Sequence, residues 1–250
     1  MSRKTALVTG AARGIGLATT KLFLAEGWQV AMVDRDCEEL AQASEGLENV
    51  KTICRDVSQA GDVEAIITEV IDWSGELDAL VNNAGVADFG PIDETDFARW
   101  RTVMETNLDG VFLMSQAAAP LLQKARGAVV NIASISGLRA STLRVAYGTS
   151  KAGVMHLSQQ QAAEWGEHGV RVNCICPGPV RTKLAMAVHT QDIIDAYHDA
   201  IPLGRYGSEE EIGNVITFLC SEKASYVTGQ VISVDGGFQS TGIGLPSLRG

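Results

Sequence analysis

The stretch TALVTGAARGIG, residues 5–16, decides the fold of this chain of 250 residues. It begins with a short apolar run, which is typical of a buried parallel strand. Gly10, Gly14 and Gly16 follow; they let the backbone turn tightly and leave room for a close approach by another group. A helical pattern over 16–26 comes directly after the turn. The stretch therefore predicts a strand–helix unit whose turn and helix N-terminus bind the pyrophosphate of a dinucleotide.

The same alternation continues along the chain. Short runs of β-branched and aliphatic residues alternate with longer stretches of helical period. The predicted strands are 5–8, 29–33, 50–54, 77–81, 128–132, 170–175 and 231–234. Their continuous apolar character is typical of strands that are covered on both faces. The sequence therefore predicts a doubly wound, Rossmann-like α/β fold, with helices on both faces of a seven-stranded parallel sheet.

The helical patterns show no linker between them. A long helix is predicted over 95–124, and a capping-box spacing from Ser208 to Glu211 predicts the start of another. We therefore expect one catalytic domain over 1–250. The segment 181–206 offers no clean strand, although 191–200 has the pattern of a short helix; a connection of this length is predicted to be a substrate loop.

The C-terminal tail, 238–250, is rich in glycine and serine and is predicted to lie on the surface or in a subunit contact.

The charge balance excludes several kinds of partner. The formal net charge is −10 and the isoelectric point is near 4.9, so nucleic acid and anionic membrane surfaces are repelled. No stretch approaches the ~20 apolar residues that a membrane span needs. The first apolar run is also too short for a signal peptide. The sequence predicts a cytoplasmic protein with no membrane attachment.

The cysteines are few and scattered. There are five of them, an odd number: Cys37, Cys54, Cys174, Cys176 and Cys220. This distribution favours free, buried thiols in a reducing compartment over a disulfide framework. No second cluster accompanies the close pair at 174 and 176, so no metal site is predicted.

Acidic and amide side chains follow the next predicted strands. Asp34 ends the second strand, where a carboxylate accepts hydrogen bonds from both ribose hydroxyls of NAD and repels the 2′-phosphate of NADP. Arg13 and Arg35 instead favour NADP, because either guanidinium could bind the 2′-phosphate. The position of Asp34 favours NAD over NADP. Asp56-Val57 and Asn82-Asn83-Ala84-Gly85 follow the third and fourth strands, on the rim where open α/β sheets bind ligands.

Tyr147 and Lys151 are the candidates for proton chemistry. Their i, i+4 spacing at the start of a helical segment puts the phenol and the ammonium on one face. A nearby cation favours phenolate, which lowers the pKa of a tyrosine towards neutral pH. Ser134 follows the fifth predicted strand on the same rim, and its hydroxyl is suited to hold a substrate oxygen. Ser136, two residues further on, is the competing candidate.

With these motifs in order, the chain resembles the short-chain dehydrogenases/reductases, in their single-domain branch. The resemblance extends over 9–237 and includes a Pro-Gly turn at 177–182, Gly-Arg-x-Gly at 204–207, and a Thr-Gly-Gln…Asp-Gly-Gly element at 228–237. It implies a catalytic set of Asn107, Ser134, Tyr147 and Lys151. The implied cofactor-binding residues are Gly10, Arg13, Gly14, Ile15, Gly16, Asp34, Asp56, Val57, Asn83, Ala84, Gly85, Tyr147, Lys151, Pro177, Gly178, Val180 and Thr182.

The resemblance also implies a reaction and an assembly. Hydride passes between the carbinol carbon of a secondary alcohol and nicotinamide, Tyr147 exchanges the hydroxyl proton, and Asn107 helps to hold a water in a proton relay to Lys151. Such enzymes are usually homotetramers, assembled here through helices predicted over 95–124 and about 142–166.

The substrate is less constrained than the reaction. Three predicted pocket walls, 86–89, 138–145 and 183–206, mix charged and hydroxyl groups with apolar ones. The side chains concerned are Asp88, Phe89, Arg139, Ser141, Thr142, Arg144, Leu184 and Met186. This mixture favours a small polar alcohol, such as a polyol, sugar or hydroxy acid. The alternatives are an NADPH-dependent 3-oxoacyl-carrier-protein reductase, a non-catalytic dinucleotide-binding regulator and, in third place, a scaffold protein.

Overall fold

The computed structural model describes residues 3–183, 186 and 189–241. Two expectations, the pocket role of Leu184 and the placement of the tail beyond residue 241, lie outside the described residues. The strands are β1 (Thr5–Thr9), β2 (Gln29–Asp34), β3 (Val50–Cys54), β4 (Ala79–Asn82), β5 (Ala128–Ile132), β6 (Arg171–Pro177) and β7 (Val231–Val234). They form one parallel sheet in the order β3-β2-β1-β4-β5-β6-β7.

This topology confirms the predicted fold class. The strand order reverses between β1 and β4, so the loops after these strands separate at one edge and leave a crevice. β1, β4 and β5 are buried along their whole length, as continuous apolar runs predict. The predicted strands agree with the observed ones to within two residues at each end.

Helices cover both faces of the sheet. They are α1 (Gly14–Ala25), α2 (Cys37–Ser44), α3 (Ala60–Ser74), α4 (Phe97–Met104), α5 (Gly110–Ala125), α6 (Ile135–Leu138), α7 (Val145–Trp165), α8 (Gln191–Ala200) and α9 (Glu209–Cys220). α1 and α9 pack together against one face of the sheet, while α3, α5 and α7 cover the other. Among the described helices, none is long and apolar enough to cross a membrane.

The prediction of one continuous α-helix over 95–124 is wrong. Asp96 caps the start of α4 by accepting a hydrogen bond from the Arg99 amide, and a wider π-helical turn, Glu105–Asp109, separates α4 from α5. A π turn inserts an extra residue into the helical ladder, and such turns are frequent at functional sites. The partner helix predicted from about 142 begins at Val145. By contrast, the predicted capping box at Ser208 is present and starts α9.

The prediction that all five cysteines are free thiols is also wrong. Cys37, at the start of α2, forms a disulfide with Cys54, at the end of β3. β2 and β3 are neighbours with Asp34 opposite Cys54, so the chain leaving β2 brings Cys37 beside its partner. Sequence spacing cannot show this proximity, because it depends on strand register. The remaining cysteines, Cys174, Cys176 and Cys220, are buried and free, as predicted.

Candidate active site

The glycine turn between β1 and α1 has no space for larger side chains. Gly10 and Gly14 have φ angles of +63° and +59°, which glycine adopts at little cost. A Cβ on Gly16 would lie 2.2 Å from the Gly10 carbonyl oxygen, and one on Gly10 would lie 2.9 Å from the Ala84 Cα. The N-terminus of α1 has no side-chain cap at Arg13, so its first amides are free to bind an anion.

A set of hydrogen bonds fastens the loop after β4 to this turn. The Thr9 hydroxyl accepts from the amides of Asn83 and Ala84, both at 3.0 Å. The Asn83 side-chain amide donates to the carbonyls of Thr9 and Gly10 at 3.0 and 3.1 Å. Asn83 therefore braces the turn, and Ala84 and Gly85 form its neighbouring wall. Thr9 was missed by the sequence analysis, although its place at the end of β1 could have suggested it.

Asp34 also contacts the glycine turn. One of its carboxylate oxygens accepts from the Ala12 amide and the other from the Asp36 amide, both at 3.1 Å. These bonds fix the carboxylate at the carboxyl end of β2, beside the turn that follows β1. Ile15 lies on the first turn of α1, partly buried against the apolar core.

The two arginines that the sequence placed near Asp34 are both paired. Arg13 forms an ion pair with Asp36, and the Arg35 guanidinium lies 3.5 Å from the Asp56 carboxylate. The other oxygen of Asp56 accepts from the Ser58 amide at 2.9 Å. Val57, between them, is buried in the core under the loop. The end of the crevice around Asp34 thus carries acidic groups whose neighbouring cations are already neutralised.

Tyr147 lies near the start of α7, within reach of Ser134. Burial raises the pKa of Tyr147 above its usual value, and the nearby Ser134 hydroxyl and the charge of Arg144 offset only part of this rise. The expectation that a neighbouring cation lowers the pKa of this tyrosine is therefore wrong for the protein without its cofactor, because burial outweighs the charge. Ser134 caps α6, and its oxygen accepts from the Ser136 amide at 3.1 Å. Of the two candidate serines, Ser134 is the one beside Tyr147. The Ser136 hydroxyl instead accepts a hydrogen bond from Ser141 at 3.2 Å.

Lys151 is buried beneath Tyr147, with only 3% of its surface exposed. Its ammonium donates to the Ile132 carbonyl at 2.8 Å and lies 5.8 Å from the centre of the Tyr147 ring. Burial lowers the pKa of Lys151 to about 8. A Cβ on Gly85 would lie 3.4 Å from that ammonium, so the loop after β4 comes within contact distance of the lysine.

The π-helical turn positions Asn107 in the same cluster. The residue is fully buried, and its side chain exchanges hydrogen bonds with the backbone of Val86: 2.8 Å from the amide and 2.9 Å to the carbonyl. It also donates to the Ser150 hydroxyl at 3.1 Å. Asn107 therefore joins the loop after β4 to α7, one residue away from Lys151.

The loop after β6 closes the other side of the crevice. Gly178, which follows Pro177, has no room for a Cβ, since that atom would lie 2.6 Å from the Asp235 Cβ. Val180 is buried and pairs with Gly207 as an isolated β-bridge. The Thr182 amide donates to the Val180 carbonyl at 2.8 Å. These contacts bring the 177–182 turn to the same rim as the glycine turn and the loop after β4.

A network of buried amides supports the central strands. The Asn82 side chain donates to Ser115 at 2.9 Å and to Asn131, opposite it on β5, at 2.8 Å. Asn131 in turn donates to Ser158 and Gln161, both at 2.9 Å. The network ties β4 and β5 to α5 and α7. It was not predicted as a network, because its members are isolated polar residues in apolar stretches.

The residues at this rim fit a nicotinamide dinucleotide. The uncapped N-terminus of α1 and the turn that excludes a Cβ suit a pyrophosphate, and the Asp34 carboxylate suits ribose hydroxyls. Ser134, Tyr147, Lys151 and Asn107 lie together further along the same rim. The arrangement can bind a dinucleotide at one end and hold or move a proton at the other.

Comparison with known proteins agrees with this geometry. A family model described as enoyl-(acyl carrier protein) reductase matches residues 10–239. The 2-(S)-hydroxypropyl-CoM dehydrogenase 3 of Xanthobacter autotrophicus is 38% identical, over 92% of this chain and 94% of its own length. The meso-2,3-butanediol dehydrogenase of Serratia marcescens is 36% identical, over 94% of each chain.

Two further comparisons bear on the alternatives. The 3-oxoacyl-[acyl-carrier-protein] reductase of Thermotoga maritima is 36% identical, over 94% of this chain and 97% of its own length. Among solved structures, levodione reductase superposes with a TM-score of 0.92 at 31% identity, over 97% of this chain and all of its own.

Proposed function

This chain belongs to the short-chain dehydrogenase/reductase family, and we propose that it transfers hydride between NAD and a small, polar secondary alcohol. Oxidoreductase chemistry on CH–OH groups with a nicotinamide dinucleotide follows from the family and its relatives. The choice of NAD, the substrate class and the residue roles are our proposal. The observation that carries it is the cluster of Tyr147, Ser134 and buried Lys151 beside a dinucleotide crevice.

The proposed roles follow from the positions of the side chains. When bound, the nicotinamide supplies the hydride acceptor for oxidation or the donor for reduction. Ser134 holds the substrate oxygen, and Tyr147 takes the hydroxyl proton during oxidation or supplies it during reduction. Lys151, with its pKa near 8, exchanges a proton readily close to neutral pH. Asn107 ties the loop after β4 to α7. It also helps to hold a water in the proton relay that reaches Lys151.

NAD is favoured by the charges at the adenosine end. Two backbone amides hold the Asp34 carboxylate, and a carboxylate in this position would repel the 2′-phosphate of NADP. Arg13 and Arg35, which could otherwise attract that phosphate, are paired with Asp36 and Asp56. The proposed contacts to the carboxamide end come from Val180 and Thr182, in the turn after β6.

A homotetramer assembled through α4, α5 and α7 is part of the proposal. Phe97 and Phe112 have 75% and 47% of their surface exposed, which is high for large apolar side chains. Phe112 also lines a surface groove with Leu108, Leu113 and Leu157 from these helices and the intervening turn. A second copy covering this face would bury that apolar area. Light scattering of the purified protein tests the assembly.

The second candidate is reduction of 3-oxoacyl groups on an acyl carrier. It is favoured by the similarity to the Thermotoga maritima reductase and by the description of the matching family model. The net charge of −10 counts against it, because an acidic carrier protein needs a basic docking face.

An absorbance assay at the NADH band tests the proposal. Polyols, sugars and hydroxy acids are screened with NAD and with NADP, alongside an acetoacetyl thioester with NADH and NADPH. The proposal predicts NAD-linked oxidation of at least one polar alcohol.

Asp34→Ser is expected to raise the NADP-to-NAD ratio of kcat/KM about 10-fold or more. Turnover restricted to NADPH and the thioester would establish the second candidate. NADH binding without any turnover would indicate a regulator.

A further inference from the structure

Arg144 is an unpaired cation at the mouth of the proposed active site. It stands immediately before α7, three residues from Tyr147, and is partly buried. Its guanidinium carbon lies 4.8 Å from the centre of the Phe89 ring and 6.0 Å from the centre of the Tyr147 ring. Among the described residues, no carboxylate lies within ion-pair distance of it, and no hydrogen-bond acceptor binds its guanidinium.

Two other charged groups close to Arg144, one acidic and one basic, already have partners. Asp88, on the loop that faces Arg144, is bound by Arg99 at 2.8 Å. Arg139 donates to the Phe238 carbonyl at 2.9 Å and lies over the Phe238 ring. The Arg144 guanidinium differs from these groups: among the described residues it makes no hydrogen bond and no ion pair, so all of its N–H donors are left for a ligand. The chain has a net charge of −10, so the Arg144 guanidinium beside Tyr147 is a positive group in an otherwise acidic protein.

The backbone holds Arg144 in place. The Gly90 amide donates to the Leu143 carbonyl at 3.0 Å, and Gly90 and Arg144 form a parallel β-bridge. The Gly148 amide donates to the Arg144 carbonyl at 2.8 Å, which ties the residue to the first turn of α7. An arginine that is held on a fixed backbone and stacked on an aromatic ring loses less conformational entropy on binding an anion than a freely moving surface arginine does.

The opposite wall of the mouth is aromatic and polar. His189 shares a hydrogen bond of 3.0 Å with the Tyr206 hydroxyl, and its ring stacks on Tyr197 with centroids 5.6 Å apart. Burial lowers the pKa of His189, and the charge of Arg144 lowers it further, so the guanidinium acts across the mouth. Burial raises the pKa of Tyr206 and the charge of Arg181 offsets part of that rise, so Arg181 is a second cation near this wall. With a neutral His189, the Tyr147 side of the mouth presents the Arg144 guanidinium.

We propose that Arg144 binds an anionic group on the substrate, so that the enzyme selects hydroxy acids or similarly charged alcohols over neutral ones. The inference rests on the proposed function, because it assigns a substrate class to the same site. The planar guanidinium forms two parallel hydrogen bonds with a carboxylate, sulfonate or phosphate. Such an anion, a few bonds from the carbinol carbon, contacts Arg144 while Ser134 and Tyr147 hold the reacting oxygen.

The first test measures selectivity in matched pairs of alcohols. The pairs are 3-hydroxybutanoate with 1,3-butanediol, 2-hydroxypropane-1-sulfonate with 1,2-propanediol, and glycerol 3-phosphate with glycerol. We expect a 10- to 100-fold preference in kcat/KM for the anionic member of at least one pair, as one charge-assisted contact provides. The pair that shows it identifies the anion. Arg144→Met should bring the ratio to about one, and Arg144→Lys should keep part of it.

Arg139→Met is the matched control, because it removes the same charge from the same loop. The ratio should persist in this variant. An equal loss in both variants would overturn the proposal in favour of a general effect of charge at the mouth. A wild-type enzyme that prefers the neutral alcohols would overturn it directly, while leaving the oxidoreductase function intact.

The second test does not depend on turnover. Butanoate, ethanesulfonate and inorganic phosphate are titrated calorimetrically into the protein saturated with NADH. We expect at least one to bind the wild type and to lose 10-fold or more in affinity in Arg144→Met. Anion binding that depends on Arg144, without oxidation of any alcohol, would support the anion site and refute the proposed reaction. Binding that is unchanged in Arg144→Met would refute the anion site.

Discussion

The two ends of the crevice are built in different ways. At the end that we propose to bind adenosine, the adenosine end, the site is formed mainly by backbone: glycines with positive φ, the uncapped start of α1, and an Asp34 carboxylate bound by amides. At the catalytic end, side chains from three elements meet in a buried cluster, with Asn107 entirely inaccessible and Lys151 nearly so. The ion pairs at the adenosine end are exposed, whereas the polar groups at the catalytic end are withdrawn from solvent.

We expect this difference to separate cofactor binding from chemistry. Substitutions at the adenosine end should act through steric fit, and they should change dinucleotide affinity first. Substitutions at the catalytic end should change turnover or the pH dependence of stability, with smaller effects on affinity.

Gly16→Ala should produce the largest loss of cofactor affinity. Its Cβ would lie 2.2 Å from the Gly10 carbonyl oxygen, a backbone atom that can move only if the whole turn moves. We expect NADH affinity to fall by about 100-fold or more, together with a loss of stability of about 2–4 kcal/mol. Fluorescence titration with NADH and urea unfolding measure both.

Gly61→Ala, in α3, is the matched control. A Cβ there meets nothing within 4 Å, so the substitution should stabilise the helix by up to about 1 kcal/mol without changing NADH affinity. Retention of full affinity in Gly16→Ala would mean that the turn does not contact the cofactor.

The buried Lys151 should make stability depend on pH. Its folded-state pKa of about 8 lies below the usual value of 10.5, so the unfolded chain binds more protons between these two values. The free energy of unfolding should therefore rise with pH through this window, by about 2 kcal/mol between pH 7.5 and 9.5. Urea unfolding across this range should show the rise in wild type and not in Lys151→Met. Lys124→Met, which removes an exposed lysine, should keep the rise. Equal slopes of unfolding free energy against pH in wild type, Lys151→Met and Lys124→Met would contradict the assignment of the lowered pKa to Lys151.

The Cys37–Cys54 disulfide should have the smallest effect. It joins the corner after β2 to the end of β3, and both cysteines are exposed. Reduction should weaken NADH binding about 2- to 5-fold, since the adenosine end loses part of its preorganisation.

Denatured protein should titrate three thiols before reduction and five after it. A Cys37→Ser/Cys54→Ser double variant should not respond to dithiothreitol; five thiols without reduction would rule out the disulfide.

Much of the fold could be predicted from local patterns. Each strand is a continuous apolar run, so the sheet follows from short segments. The glycine turn between a strand and a helix indicates a dinucleotide rim for the same local reason. The capping box at Ser208 is likewise a local signal, and it starts α9 as predicted.

Features that depend on packing between distant segments could not be predicted. The π-helical turn at Asn107 is stabilised by contacts with Val86 and Ser150, which lie 21 and 43 residues away. The disulfide depends on the register of β2 and β3. Arg144 could be placed near the pocket from the sequence. That its guanidinium has no ion-pair partner among the described residues depends on the tertiary pairing of Asp88 with Arg99.

We propose that Tyr147 exchanges the substrate proton and that the crevice binds NADH independently of the Tyr147 hydroxyl. Tyr147→Phe is therefore assayed for turnover and for NADH affinity in the same preparation, beside Tyr226→Phe at a fully exposed tyrosine. We expect Tyr147→Phe to lose about 10²–10⁴-fold in kcat while NADH affinity stays within about 3-fold of wild type, and Tyr226→Phe to match wild type in both. Turnover by Tyr147→Phe within 10-fold of wild type would contradict the claim.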